Sequence, residues 1–429
     1  MTQIRRHLIA VNWRNGPVGR NKSRPSSPMV LQINLTIAGG MALSGCSSSA
    51  TSSGAASAAP AVSAAASAPA SAAPAAASSA AAPTADIAGA EAALAEYSGP
   101  ATWKEPGPAF DIAGVKGKSV VYIPLDNSIP IFTVIYGEME KALTAAGAVP
   151  SLCDGKGNPT QWAACISDAA GRGASVIILD SIPVSSVAEA AKAAQAAGVK
   201  IIDGNNGDPE IVPEGTDARV SFQYSLSGRL VSDWIISDSA GDANVLIIQS
   251  PESGNVPDLV GKGYAAELKD KCPTCKVQIA DVAIADWATK LQPTVQALLA
   301  ADPSINYVIP IYDGMSTYVV PAIAAAGATD RVKVATFNAD LDPMKKMAAG
   351  ESIYVNVGTH NAYEGWAYAD QSMRLITGNT PSVNENVPAR VFTPENVGTL
   401  QLTPEAERSG EWYGDNTYQQ KYKELWGMK

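Results

Sequence analysis

Histidine is almost absent from this 429-residue chain. There are two, His7 and His360, and the first lies in a basic leading segment. One imidazole in the body leaves little for histidine-based acid–base or metal chemistry. Basic side chains are also scarce, with 31 Lys and Arg against 41 Asp and Glu. Six of the basic residues (Arg5, Arg6, Arg14, Arg20, Lys22, Arg24) fall in the first 46 positions, which hold no acidic residue. The rest is therefore more acidic than the whole-chain net charge of −10. Such a surface repels phosphate backbones, which excludes a nucleic-acid partner. No Gly-rich phosphate loop and no Gly-x-Ser-x-Gly elbow occur, which removes the commonest phosphoryl-transfer and hydrolase signatures. No catalytic residue, metal or cofactor is expected. A long apolar run is missing too. Residues 29–45 come nearest, but Gln32 and Asn34 interrupt them, so a membrane span is not expected.

What is present at the N-terminus reads as an export device. A basic region, a moderately apolar segment and small residues lead to Leu43-Ser44-Gly45-Cys46. The basic region is long for a signal, which makes Met29 a candidate translation start. From Ser47 to about Ala85 the chain is nearly all Ala, Ser, Pro, Thr and Gly, with no charge before Asp86. Such a segment cannot bury enough apolar surface to offset its ordering entropy and reads as a tether. A short helix over Ile87–Tyr97 and a Pro-rich lead-in follow. The remaining cysteines form two close pairs, Cys153 with Cys165 and Cys272 with Cys275. They fit local disulfides of an exported protein. Cys272-Pro-Thr-Cys275 is also a redox or zinc half-site in form, but no second pair completes a zinc set.

The body alternates short apolar runs with amphipathic helices. Ser119–Pro124 reads as a buried parallel strand, Asp126-Asn127-Ser128 as a polar turn, and Pro130 as a first helical position before Phe132, Ile135, Met139 and Leu143. Similar strands are read at Val149–Leu152, Ser175–Asp180, Val199–Asp203 and Val220–Phe222. The rhythm then restarts at Asn244–Gln249 and continues through Tyr307–Ile311, Val332–Phe337 and Ile353–Val357. Repeated β–α–β units predict an α/β fold with parallel sheets. Two runs of that rhythm predict two similar lobes.

From about Lys118 to Val397 the chain resembles the sugar-type, ribose-binding-like substrate-binding proteins of bacterial ABC importers, of the type I periplasmic-binding fold. The likeness is carried, in order, by Asn127…Pro130…Phe132, Arg172-Gly173-Ala174, Ala197-Gly198-Val199, Gln249-Ser250-Pro251-Glu252-Ser253-Gly254, Asp286-Trp287, Ile311-Tyr312-Asp313-Gly314, Phe337-Asn338-Ala339-Asp340 and Thr393-Pro394-Glu395-Asn396-Val397. The Leu43–Cys46 sequence likewise resembles a bacterial lipobox, in which Cys46 is lipidated. The resemblance implies two Rossmann-like lobes joined by a three-strand hinge, with crossings near 222–223, 357–359 and 390–392. It implies a signal segment over 1–45, the tether and lead-in over 46–117, an N-terminal lobe of 118–222 and 359–390, and a C-terminal lobe of 223–358 and 391–429. It also implies a monomer on the outer face of the plasma membrane, held by a lipid anchor. That monomer would capture a small polar ligand, a carbohydrate or related compound, for an ABC permease. A receptor serving a membrane sensor and an envelope-bound sugar-modifying enzyme are the alternatives.

Carried over by position, the resemblance proposes a ligand set. Phe132 falls where a ring stacks on sugar, though core packing explains it equally. Asn127 and Ser128 end the first strand, where either could instead cap a helix. Asn205 and Asn206 stand where the family often has Asp-Arg, and Asp258 falls near a family arginine. Trp287 matches an aromatic wall. Tyr312 replaces a usual Asn, with Asp313 following it as ligand group or helix cap. Asn338 replaces a usual Asp, and Thr359 or His360 falls near a family Gln. The missing arginines argue against an anionic ligand and a standard pentose. They leave a neutral polyol, a modified sugar, an aromatic compound, or an amine with Asp258 or Asp313 as counter-charge.

Overall fold

A computed structural model describes residues 84–414 and 416–428. Cys46, the export segment and nearly all of the tether lie outside the described residues. The body holds two sheets. The first contains β1 (Ser119–Pro124), β2 (Val149–Leu152), β3 (Val176–Asp180), β4 (Lys200–Gly204) and β5 (Ala218–Val220), in the order β2-β1-β3-β4-β5. All its pairings are parallel. The second contains β6 (Asn244–Gln249), β7 (Lys276–Asp281), β8 (Tyr307–Pro310), β9 (Lys333–Asn338), β10 (Ile353–Thr359) and β11 (Ala389–Phe392). Its order is β11-β10-β9-β8-β6-β7, and only β11 runs antiparallel to its neighbour. Without β11, the second sheet repeats the topology of the first. This is the expected two-lobed α/β architecture. β1, β3 and β6 are apolar almost throughout because helices cover both faces of each sheet.

In the first lobe, α2 (Pro130–Ala145), α3 (Pro159–Gly171) and α4 (Ala188–Ala196) connect successive strands. Asn158 caps α3 by accepting from the Thr160 and Gln161 amides, and Pro159 takes the first helical position. The second lobe starts with α5 (Tyr224–Asp238). A π-helical stretch, Pro257–Tyr264, runs into α6 (Ala265–Lys271), and a second, Trp287–Leu291, runs into α7 (Gln292–Ala301). Both stretches follow the carboxyl end of a strand, a place where π-turns often accompany function. α8 (Asp313–Ala325) and α9 (Leu341–Ala348) complete the repeat.

Chain order and lobe membership part company at both ends. α1 (Ile87–Tyr97) precedes the first lobe but packs on the second through Ala90. α10 (Asn361–Thr377) lies between two strands of the second sheet, yet Tyr363, Trp366 and Met373 fill the first lobe's core. After β11, α11 (Pro394–Val397) and α12 (Pro404–Ser409) stay with the second lobe, as do Trp412 and Tyr413. The last helix, α13 (Tyr418–Leu425), does not. Tyr418, Tyr422, Leu425 and Trp426 join the first lobe's core, where residues 391–429 were expected to belong wholly to the second. The cause is a partner on α10. Trp426 stacks on Trp366 at 5.5 Å and donates its indole N–H to Asp370 Oδ1 at 2.7 Å.

Candidate functional site

In open α/β sheets the loops after the carboxyl ends of the strands, at the point where strand order reverses, form the natural ligand crevice. Here those points are the loops after β1 and β6, and beside them the loop after β4 touches the second lobe. Tyr224, at the start of α5, donates its hydroxyl to the Asn205 carbonyl at 3.0 Å. Asn206 lies against Gly254, close enough that a Cβ there would meet its Oδ1 at 3.0 Å. The Asp208 amide donates to Asp258 Oδ2 at 2.9 Å.

The second lobe contributes an aromatic wall. Trp287, half-buried, donates its indole N–H to Ser250 Oγ at 2.9 Å and lies 6.4 Å from the Tyr312 ring. Tyr312 donates to Asn255 Oδ1, and burial pushes its hydroxyl up to about 12. The first lobe contributes polar groups from the ends of β3 and β4 and the start of α10. Asn205 holds a left-handed backbone (φ 55°) and donates Nδ2 to Asp180 Oδ1 at 3.0 Å. Tyr122 donates to the other Asp180 oxygen at 2.5 Å. Buried Asn127 Oδ1 and Thr359 Oγ1 make no hydrogen bond.

A family model described as a periplasmic binding protein domain matches residues 120–380, more than half of the chain. The chain belongs to this family. No curated protein matches it. Solved structures share the fold at low identity. A Thermotoga lettingae solute-binding protein in complex with 5-methylthioribose is 17% identical with TM-score 0.61, over 71% of this chain and 98% of that one. A Caulobacter protein bound to myo-inositol is 23% identical with TM-score 0.57, over 66% and 95%. An Agrobacterium vitis protein with bound allitol is 17% identical with TM-score 0.59, over 66% and 98%. This periplasmic binding protein is thus an extracytoplasmic solute receptor and not an enzyme.

Several residues expected to touch ligand are committed elsewhere in this binding protein. Asp313 is buried and accepts from both the Asn356 side chain and the Asp340 amide, so it ties the start of α9 to β10. Burial, and then the Asp340 carboxylate, push its own carboxyl well up. Asp258 spends one oxygen on the Asp208 amide and the other on Lys262, 2.5 Å away. Neither is left as the counter-charge of an amine. Phe132 is buried in the first lobe's core, and Ser128 is exposed, its amide bonded to Asp126. Asn206 directs its amide group to Asp203 Oδ1 and the Gly204 carbonyl. Asn338 ends β9 half-buried, at a φ of +116°.

His360 caps α10 by accepting from the Tyr363 amide, and stacks on Tyr413 at 4.8 Å with Tyr418 edge-on at 4.9 Å. It is a packing residue of the lobe junction. Burial pushes its imidazole down to about 3. The unfolded chain, with an ordinary value near 6.5, therefore binds a proton there that the folded chain refuses. Stability from this group is complete above about pH 6.5 and is lost as pH falls toward 3. His360→Asn keeps a capping acceptor and removes the titration. Its stability relative to the parent should rise by about 2 kcal/mol between pH 7.5 and pH 5 in urea unfolding. A pH-independent difference would refute the assignment.

Sequence reasoning missed Asp180, Tyr122, Glu364 and Tyr368. The strand-end position of Asp180 was a usable signal. Glu364 and Tyr368 gave none, since they sit in an ordinary helical stretch and meet Asp180 only through the fold. It also missed Arg219, which is buried and holds Asp203 Oδ2 at 2.7 Å. The guanidinium absent from positions 206 and 258 is thus supplied to this region from β5.

Proposed function

We propose that this binding protein is the lipid-anchored receptor of an ABC importer, which encloses a sugar-like or polyol ligand between its lobes and delivers it to a membrane permease. The observation that supports the reading is the aromatic pair Trp287 and Tyr312 at strand ends of one lobe, with carboxylate and amide groups at strand ends of the other, the two group types that carbohydrate recognition needs. The ligands of the solved relatives, two polyols and a sugar derivative, are of that class. Closure over the ligand raises the population of the form a permease reads.

A thermal-shift screen over sugars, polyols, nucleosides and aromatic compounds tests the class, since ligand bound to the folded state raises the melting temperature. Shifts confined to nucleosides or aromatics would overturn it. For a ligand so found, Trp287→Ala should weaken binding by about 10- to 100-fold in calorimetry while the protein stays folded. Unchanged affinity would remove Trp287 from the site.

The anchor is the second part of the proposal. Cys46 takes the lipid, the tether spans the envelope layer, and the receptor works as a monomer. Among the described residues no helix is long and apolar enough to cross a membrane. Cys46→Ala should shift the protein from the membrane to the soluble fraction, and retention in membranes would refute the anchor. Outside the cytoplasm the two cysteine pairs are closed as disulfides. Their Cα–Cα separations of 5.8 and 5.3 Å suit the bond.

A further inference from the structure

Among the described residues, Glu364 is a carboxyl that the packing leaves unexplained. It sits in the first turn of α10 with no exposed surface. Neither of its carboxylate oxygens has a hydrogen-bond partner. Buried carboxylates are normally paired or hydrogen-bonded, because leaving one bare costs its desolvation in full. The groups around it come from every element that meets there. They are Asp180 at the end of β3, Asn205 after β4, and Tyr368 one turn along α10. Its charge also reaches Tyr122 on β1 and Tyr224 on α5 of the other lobe. Glu364 therefore lies where the two lobes meet.

None of the groups acting on Glu364 or on Asp180 is a cation. Arg219 is held by Asp203 and the Asp208 carbonyl. Asp180 is satisfied by Tyr122, Asn205 and Ser181. Glu364 has only Asn205 and Tyr368 near its oxygens, and neither makes a hydrogen bond of good geometry. Burial first, and the Asp180 carboxylate second, push its carboxyl well above the ordinary range. On the same helix the Asn361 Oδ1 and the Tyr368 hydroxyl also lack partners. Sugar hydroxyls could satisfy the lone pairs of two neighbouring carboxylates but not their charge. A protonated nitrogen supplies both the donors and the opposite sign.

We propose that the crevice selects a ligand bearing a protonated amine, an amino sugar or aminopolyol, whose ammonium group enters between Glu364 and Asp180. This rests on the crevice being the solute site, as proposed above. Tyr368 and Asn205 orient the two carboxylates, and Trp287 with Tyr312 covers the carbon skeleton.

Calorimetry at neutral pH with matched pairs tests it: glucosamine against glucose, galactosamine against galactose, and 1-amino-1-deoxysorbitol against sorbitol. At least one amine should bind about tenfold or more tighter than its neutral partner. Glu364→Gln should abolish that preference. Because Glu364→Gln also removes an unpaired buried carboxyl, the ligand-free variant should melt no lower than the parent. Three results would overturn the inference: a neutral sugar or polyol binding as tightly as its amine, an amine preference that survives in Glu364→Gln, or a clear drop in ligand-free melting temperature. The first of these leaves the receptor reading intact. Binding by neither class overturns both.

Discussion

Replacing Arg374 with Met should destabilise the protein by about 3–5 kcal/mol, the cost of stranding one partner of a buried ion pair. Arg374 and Asp370 lie one turn apart on α10, almost wholly buried, with Nε 2.5 Å from Oδ2. The guanidinium also donates to the Pro108 carbonyl at 3.2 Å and lies 4.4 Å above the Phe110 ring. Asp370 in turn accepts from Trp426. One ion pair thus ties the lead-in before β1 and the final helix to the same helix of the first lobe. Without the cation, only the Trp426 and Glu385 hydrogen bonds oppose the burial that raises the Asp370 carboxyl, and burial raises Glu385 as well. Denaturant unfolding at neutral pH measures the loss. Asp370→Asn combined with Arg374→Met should recover part of it, because no bare charge then remains. A loss under about 1 kcal/mol for Arg374→Met would show that the pair carries no more than a surface bridge does.

Gly365→Leu should cost about 3 kcal/mol or more, for steric reasons. A Cβ at Gly365 would stand 2.5 Å from the Ile135 carbonyl oxygen, 2.7 Å from the Met139 nitrogen and 2.8 Å from Glu138 Cβ. Two of these three atoms are backbone, so no side chain can swing aside. α10 and α2 would have to separate, stretching the bond from the Trp366 indole to Glu138 Oε2, now 3.1 Å. Gly171→Ala is the control, since a Cβ there meets nothing within 4 Å. Its melting temperature should equal or slightly exceed the parent's. If Gly365→Leu melts with the control, the close approach of the two helices is not what fixes α10 on the first lobe.

Much of the fold was legible because short-range physics wrote it. β1, β3 and β6 announce themselves as apolar runs too short for helices, and Asn158-Pro159 marks the start of α3 by cap chemistry alone. The restart of the rhythm at β6 gave the second lobe. The site was less legible. Trp287 and Tyr312 lie 6.4 Å apart, whereas Asp313 and Asp258 turn inward to backbone and side-chain partners. A strand-end Asp reads the same whether it faces ligand or braces a neighbouring strand. The packing role of His360 was not legible, since the ring that stacks on it, Tyr413, lies 53 residues further on.

The sequence by itself determined the two α/β lobes, the acidic body and the absence of catalytic signatures. Each rests on composition or on periodicity within a few residues. Tertiary structure decided which lobe each terminal segment joins, and which carboxylates are free for a ligand. From Ala362 to Arg374 every residue of α10 is buried, including Glu364, Asp370 and Arg374. No periodicity separates a charge that finds a partner there from one that does not. Arg374 reaches Asp370 four residues back, whereas the one charge acting on Glu364 is that of Asp180, a like charge 184 residues away in the chain.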